Sequence, residues 1–367
     1  MTLNRRKWLG QVGLILGGLS LEPAKNIAAT LPPHLGYFPE DMPIRLSSNE
    51  NPYGPSPFAR KAMAESINFS NRYGWKLTSD LVAAIAEKNN LTADNILIDA
   101  GSTEILDLVV QLAALEKGDF ILAEPTFNYW SERAVTLGLK KNAVPLTADK
   151  KHDLPAMLQA ITADTKLIYV CNPNNPTGTI CDRTELLAFV KEATKKTLVL
   201  VDEAYIDFTN QKSLSDLVTG NKNLIIAKTF SKIYGLAGGR IGYALAHKAA
   251  IDRLAELQSW ANGGVSVVST AGALASLKDE SFTNETKALN EKARQYAIEQ
   301  LGNLNINCIP SHANFIYFSL ENYKKDFFEQ LKTHKIIGTK IYEDAGKWSR
   351  ITVGTMDEMY KFINALK

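Results

Sequence analysis

The feature that most constrains this chain is an alternation of short apolar, β-rich runs with longer stretches of helical periodicity. Runs at 96–99, 120–123, 166–170, 197–201, 224–228 and 240–246 read as strands, each separated from the next by a helical or polar segment. Such alternation predicts an α/β fold with a mostly parallel central sheet and helices on both faces. Most of these runs end in a polar loop, and in open α/β sheets ligands gather beyond the carboxyl ends of the strands.

From about residue 250 the texture changes to long helical stretches, followed by strand-like runs at 314–319 and 350–353. This reads as a smaller α+β lobe. The expected division is residues 1–29 as an address segment, 30–65 as an N-terminal arm and part of the small domain, 66–250 as the large domain and 251–367 as the small C-terminal domain. A chain of 367 residues needs a second lobe, because single cores stop growing at roughly 250 to 300 residues.

Hydrophobic content of 45% and charged content of 22% exclude a disordered chain and a membrane bundle. The net charge of +2 comes from mixed signs without a basic block, which leaves no footprint for nucleic acid and points to a small-molecule partner. Cys171, Cys181 and Cys308 lack metal-ligand spacing and read as packing residues, with no metal expected.

The N-terminus carries Asn4-Arg5-Arg6-Lys7-Trp8-Leu9, a mildly apolar run at 10–21, and Ile27-Ala28-Ala29. This order resembles a twin-arginine export signal with a small-residue cleavage site. The apolar run is too short to span a bilayer, which takes roughly 20 residues. The expectation is an exported or periplasmic protein, otherwise a cytoplasmic one, without stable membrane association.

Three motifs carry the chemistry. The first is Thr229-Phe230-Ser231-Lys232-Ile233-Tyr234-Gly235-Leu236-Ala237-Gly238-Gly239-Arg240, directly after an apolar strand. Hydroxyls one and three residues before a lysine, glycines after it and an arginine eight residues on are the groups that hold a phosphate beside a reactive amine. The second, Val199-Leu200-Val201-Asp202-Glu203-Ala204-Tyr205, is a strand that delivers an acid and then a phenol. The third, Tyr169-Val170-Cys171-Asn172-Pro173-Asn174-Asn175-Pro176-Thr177-Gly178, feeds a proline-rich turn. Successive motifs lie about one βα unit apart.

With these motifs in this order, the chain resembles the fold-type I aminotransferases, and within them the histidinol-phosphate aminotransferase family. The resemblance runs from Leu46-Ser47-Ser48-Asn49-Glu50-Asn51-Pro52-Tyr53-Gly54-Pro55 to Ser349-Arg350-Ile351-Thr352-Val353-Gly354-Thr355. It implies a homodimer that uses pyridoxal 5'-phosphate to move an amino group from a small-molecule donor to a 2-oxo acid acceptor.

By that resemblance Lys232 carries the cofactor as a Schiff base and Asp202 faces the pyridine nitrogen, whose protonation makes the ring an electron sink. Tyr205 and Asn175 hydrogen-bond the ring's phenolic oxygen. Arg240, Ser231, Thr229 and the Gly101-Ser102-Thr103 turn bind the phosphate, the turn by presenting a helix N-terminus. Phe127 stacks on the ring, and Tyr73 reaches the cofactor phosphate of the neighbouring subunit. Arg350 grips the substrate carboxylate, and Asn49 lies on the substrate side.

One departure stands out. Where the family has an arginine for the substrate phosphate, this chain reads Lys335-Ile336-Ile337-Gly338-Thr339-Lys340, and a lysine offers a point charge without a fork. Aromatic or other unphosphorylated amino acids are therefore alternative substrates, and a phosphothreonine-type decarboxylase is an alternative reaction on the same scaffold. A regulator built on this scaffold needs a DNA-binding module, for which residues 1–45 have neither length nor charge.

Overall fold

The apolar runs of the sequence lie side by side in one seven-stranded sheet. The computed structural model describes residues 42–259 and 264–367; the export-like segment at 1–29 lies outside them. In chain order the strands are β1 (Ile44–Arg45), β2 (Ile96–Asp99), β3 (Asp119–Glu124), β4 (Lys140–Pro145), β5 (Thr165–Cys171), β6 (Leu198–Asp202), β7 (Leu224–Thr229), β8 (Gly242–Ala246), β9 (Asn307–Ile309), β10 (Phe315–Ser319), β11 (Ile336–Ile337), β12 (Ile341–Glu343) and β13 (Trp348–Thr352).

The large sheet has the order β2-β8-β7-β6-β5-β3-β4. Its central strands are buried almost throughout because helices cover both faces, and alternate side chains enter opposite cores. Val199 and Val201 join Ile168, Val170 and Ile226 on one face. Leu200 joins Leu167, Ile225 and the Ser102–Ala113 helix residues Ile105 and Val109 on the other.

Strand β4 was not expected. Its sequence Lys-Lys-Asn-Ala-Val-Pro sits at the sheet edge, mostly exposed, so burial imposes no apolar pattern on it, and the closing proline is tolerated there. The run expected to begin at residue 240 enters the ladder at Gly242.

Strand β8 alone opposes the direction of its neighbours, pairing antiparallel with β7 and β2 while all the other pairs are parallel. It therefore starts at the edge where the parallel strands finish, with Gly242 opposite Thr229 and Asp99. That reversal brings Arg240, just before β8, to the same edge as the residues that follow β7 and β2. A Cβ on Gly242 would lie 2.4 Å from the Ser102 nitrogen, so glycine permits this close approach.

A four-stranded antiparallel sheet, β12-β13-β10-β9, packs with the helices Glu280–Asn303 and Met356–Leu366 around Phe318, Phe327 and Phe362. Strand β1 pairs with β11, which ties the start of the described chain to this C-terminal part. Ser56 caps the Pro57–Ser66 helix by accepting from the Ala59 nitrogen, with Pro57 in the first turn, and this helix packs on Val267–Leu277. Among the described residues no helix is long and apolar enough to cross a membrane.

Candidate active site

A cavity of about 790 Å³ opens at the carboxyl edge of the large sheet. One end is an anion cradle. Gly101, at φ 91°, turns the chain from β2 into the helix Ser102–Ala113, whose first N–H groups have no intrahelical acceptor. Arg240 spans this turn and the loop after β7: Nη2 donates to Thr103 Oγ1 at 2.9 Å and to the Ala100 carbonyl at 3.2 Å, and Nη1 donates to Ser231 Oγ at 3.4 Å. A Cβ on Gly101 would sit 2.6 Å from Arg240 Nη2, so the cradle closes only around glycine.

Arg240 itself adopts φ 49°, a left-handed conformation that costs of order 1 kcal/mol or more for a non-glycine residue. Its guanidinium contacts over-determine it. The Thr229 hydroxyl accepts from the Ser231 nitrogen at 3.1 Å and shapes the same loop. Hydroxyls, helix N–H groups and a guanidinium fork together suit a phosphate.

At the end of β6 lies Asp202, 2% exposed. Its Oδ1 accepts from the Ala204 nitrogen at 3.0 Å and its Oδ2 from the Tyr169 hydroxyl at 2.9 Å, while burial pushes the carboxyl up to about 6. Close by, the Tyr205 hydroxyl accepts from Asn49 Nδ2 at 3.0 Å and from Asn175 Nδ2 at 3.3 Å. Burial raises the Tyr205 phenol well above its ordinary value, so it stays neutral and keeps a proton to donate.

Lys232 enters the cavity from the loop after β7. Its Nζ donates to the Ser48 carbonyl at 3.1 Å and lies 5.6 Å from the Tyr205 ring centroid. Burial first, and then the positive charge of Arg350, lower the amine to about 8. A lysine in this state has a sizeable neutral fraction near pH 7 and is a competent nucleophile.

Arg350, on β13, is 7% exposed. Its Nη1 donates to Asn175 Oδ1 at 2.5 Å and its Nη2 to the Ser47 carbonyl at 2.6 Å, while Nε is buried without a hydrogen-bond partner. The guanidinium carbon lies 5.4 Å from both the Phe315 and Tyr342 ring centroids. A buried cation with one unsatisfied donor is suited to an anionic ligand.

The cavity thus gathers Ser102, Thr103, Phe127, Asn175, Asp202, Tyr205, Thr229, Ser231, Lys232, Arg240, Asn49 and Arg350 at its wall, with Gly101 directly behind Arg240. Tyr73 is not brought there. It is 71% exposed, stacks on Trp75 at 5.3 Å between ring centroids and lies outside the residues that line this cavity.

Several contributors escaped the sequence reading. Tyr169 is one, although a tyrosine inside a buried strand needs a partner for its hydroxyl, and that requirement was a usable signal. Tyr129 is another: it lines the cavity, donating to the Thr103 carbonyl at 2.5 Å and tilting against Phe127 at 5.4 Å. Glu124 and Tyr342 line it too, beside Lys340, which the sequence had marked as a point charge and whose Nζ lies 5.7 Å from the Tyr342 ring centroid.

This set fits pyridoxal phosphate, an anionic heteroaromatic aldehyde: a phosphate cradle, a buried carboxylate, a neutral phenol and an activated amine share one wall. The family described as Aminotransferase class I and II matches residues 41–366. The chain is similar to the histidinol-phosphate aminotransferase of Moorella thermoacetica, 36% identical over 329 residues that cover 88% of this chain and 84% of that one. It is also similar to histidinol-phosphate aminotransferase 1 of Dechloromonas aromatica, 33% identical over 332 residues, covering 90% of each. Among solved structures, the histidinol-phosphate aminotransferase of Sinorhizobium meliloti in complex with pyridoxal-5'-phosphate superposes with a TM-score of 0.80 at 26% identity, covering 88% of this chain and 89% of that one. The chain therefore belongs to the class I and II aminotransferases and is a transaminase that works with pyridoxal phosphate.

Proposed function

We propose that the chain moves an amino group from an amino-alcohol phosphate or an amino acid to a 2-oxo acid in two half-reactions at this cavity. The observation that carries the reading is the convergence of the Lys232 amine, the buried Asp202 carboxylate, the Arg240 cradle and the buried Arg350 fork on one space.

Bound pyridoxal phosphate supplies an aldehyde that captures amines and a protonated ring that accepts electron density. Asp202 would keep the ring nitrogen protonated, and Tyr169 and the Ala204 nitrogen orient that carboxylate. Asn175 and Tyr205 hold the phenolic oxygen. The N–H groups after Gly101, the Ser102, Thr103, Thr229 and Ser231 hydroxyls and Arg240 would hold the phosphate, and Phe127 would pack on the ring. Lys232 anchors the cofactor between turnovers. With its amine free of the cofactor, Lys232 would serve as the acid–base group that moves a proton at the substrate Cα. Arg350 takes the substrate carboxylate or its counterpart group, with Asn49 beside it.

The names of the relatives support histidinol phosphate as donor. Lys340, in place of the arginine expected there, and the aromatic wall of Phe127, Tyr129 and Tyr342 favour a second reading, in which unphosphorylated aromatic amino acids are used comparably well. Exposed Phe58, Ile67, Phe69 and Trp75, in the same stretch of chain as Tyr73, support a homodimer in which Tyr73 serves the neighbouring site. The Arg5-Arg6 pair supports export of the folded holoenzyme; fractionation of cells carrying an Arg5→Lys, Arg6→Lys variant tests it.

Borohydride reduction of the holoenzyme followed by peptide mapping tests the central assignment. The adduct is expected on Lys232, and Lys232→Ala is expected to lose covalent cofactor and nearly all turnover. An adduct on another lysine, or carbon dioxide released in place of amino transfer, overturns the reading.

A further inference from the structure

Strand β12 carries Tyr342 to the cavity, yet its own backbone gives it little hold. It is a three-residue edge strand. Its ladder with β13 is interrupted: Ile341 pairs with Ser349 and Glu343 with Trp348, so β12 has one residue more than β13 over that step. Tyr342 is that extra residue. A bulge re-aims a side chain but does not by itself fix it, because the bulged residue is left out of the ladder.

What holds this segment comes from a distant part of the chain. Lys150, in the turn between β4 and the Leu154–Gln159 helix, donates to Glu343 Oε2 at 2.8 Å and Oε1 at 3.0 Å across 193 positions of sequence. The Tyr317 hydroxyl on β10 donates to the same carboxylate at 2.7 Å, and Lys150 Nζ lies 5.0 Å from the centroid of the Trp348 ring, which stacks on Tyr317. The pair is 19% and 25% exposed, so solvent screens it far less than a surface pair.

The backbone of Lys150 is fixed as well. It adopts φ 61°, and its carbonyl accepts from the Thr179 hydroxyl at 2.7 Å. Thr179 closes the loop of Asn175, since its carbonyl accepts from the Asn174 nitrogen at 2.8 Å. One turn is thus tied to both segments that flank Arg350: the loop whose Asn175 accepts from Nη1, and the strand whose Tyr342 ring covers the guanidinium.

We propose that the Lys150–Glu343 pair is a positioning device for the carboxylate site: it holds the bulged Tyr342 ring against Arg350 and so fixes the direction in which the guanidinium fork faces the cavity. This rests on the role proposed above for Arg350. Neither Lys150 nor Glu343 lines the cavity, so both act through Tyr342 and Arg350.

The test uses the full-chain holoenzyme titrated calorimetrically with hydrocinnamate, a carboxylate without an amine that cannot react, beside steady-state kinetics with L-phenylalanine. Lys150→Met and Glu343→Gln are each expected to weaken hydrocinnamate binding and raise KM about tenfold, as coupled neighbours do, with kcat within roughly twofold. Lys150→Arg is expected to recover most of the affinity. In a Tyr342→Ala background, Lys150→Met should add nothing further, because the element it positions is gone. Undiminished hydrocinnamate affinity in both single variants, or a loss that adds fully to that of Tyr342→Ala, overturns the inference. Arg350→Met separates the two levels: if it leaves hydrocinnamate binding unchanged, the role of Arg350 itself is wrong.

Discussion

Arg350 donates to the side-chain carbonyl of Asn175 at 2.5 Å across 175 positions of sequence, and the amide nitrogen of that same Asn175 donates to the Tyr205 hydroxyl at 3.3 Å. One planar amide therefore touches both the Arg350 guanidinium and the Tyr205 phenol. An acceptor and a donor are needed at once, which an amide supplies and a carboxylate does not. Asn175→Asp is expected to keep the contact to Arg350 while placing a negative charge where the substrate carboxylate is to bind. KM for the donor should rise about tenfold, the scale of a lost charge-assisted bond. Steady-state kinetics with unchanged KM would show that Asn175 does not couple the two sites.

Asp202→Asn is expected to retain bound cofactor yet slow the proton-transfer half-reaction by orders of magnitude, since a neutral amide cannot keep the ring nitrogen protonated. Tyr169→Phe removes one bond to the carboxylate and should cost about 1.5 kcal/mol, roughly tenfold in rate. The Tyr169 bond holds the Asp202 carboxyl down against the upward push of burial. Its removal therefore raises the carboxyl further, and the acid limb of the kcat profile should move to higher pH. Single-turnover absorbance changes check both variants, and near wild-type rates in Asp202→Asn would remove that residue from its role.

The lowered Lys232 amine gives a pH signature. Attack on the cofactor aldehyde requires the neutral amine, so the rate at which apoprotein captures pyridoxal phosphate should climb with pH and level off above about 8. An ordinary lysine would still be climbing there, toward about 10.4. Arg350→Met removes a repelling cation and should shift the plateau upward. Stopped-flow absorbance measures it, and an unmoved plateau would mean that burial alone sets the amine.

In the proposed site, Lys340 would offer a donor's phosphate a point charge in place of a fork. Wild-type protein is therefore expected to use phenylalanine and tyrosine comparably with histidinol phosphate, and Lys340→Arg to shift preference toward histidinol phosphate. A bidentate charged contact is worth about 1.5 to 3 kcal/mol, which corresponds to roughly ten- to 150-fold in relative kcat/KM. A strong native preference for histidinol phosphate would defeat this expectation.

How much of this was legible follows from what burial imposes on sequence. Strands β5, β6 and β7 are covered on both faces, so their central residues had to form apolar runs. The polar residues at or just beyond their carboxyl ends, Asp202 closing β6, Asn175 after β5 and Lys232 after β7, were thereby marked as residues of one edge. Edge strand β4 carries no such constraint and was invisible.

The sequence by itself determined the order of the elements, the sheet edge that bears the chemistry and the residue types placed there, because these follow from local periodicity and from the requirement that buried segments be apolar. Only the tertiary structure decided the reversed direction of β8 that turns Arg240 into the cradle, the Tyr169 hydroxyl on Asp202, the bridge from Asn175 to Arg350 and the Lys150–Glu343 clamp behind Tyr342. Each of these joins groups far apart in the chain through a direction or an angle, and neither periodicity nor composition encodes the through-space geometry that fixes them.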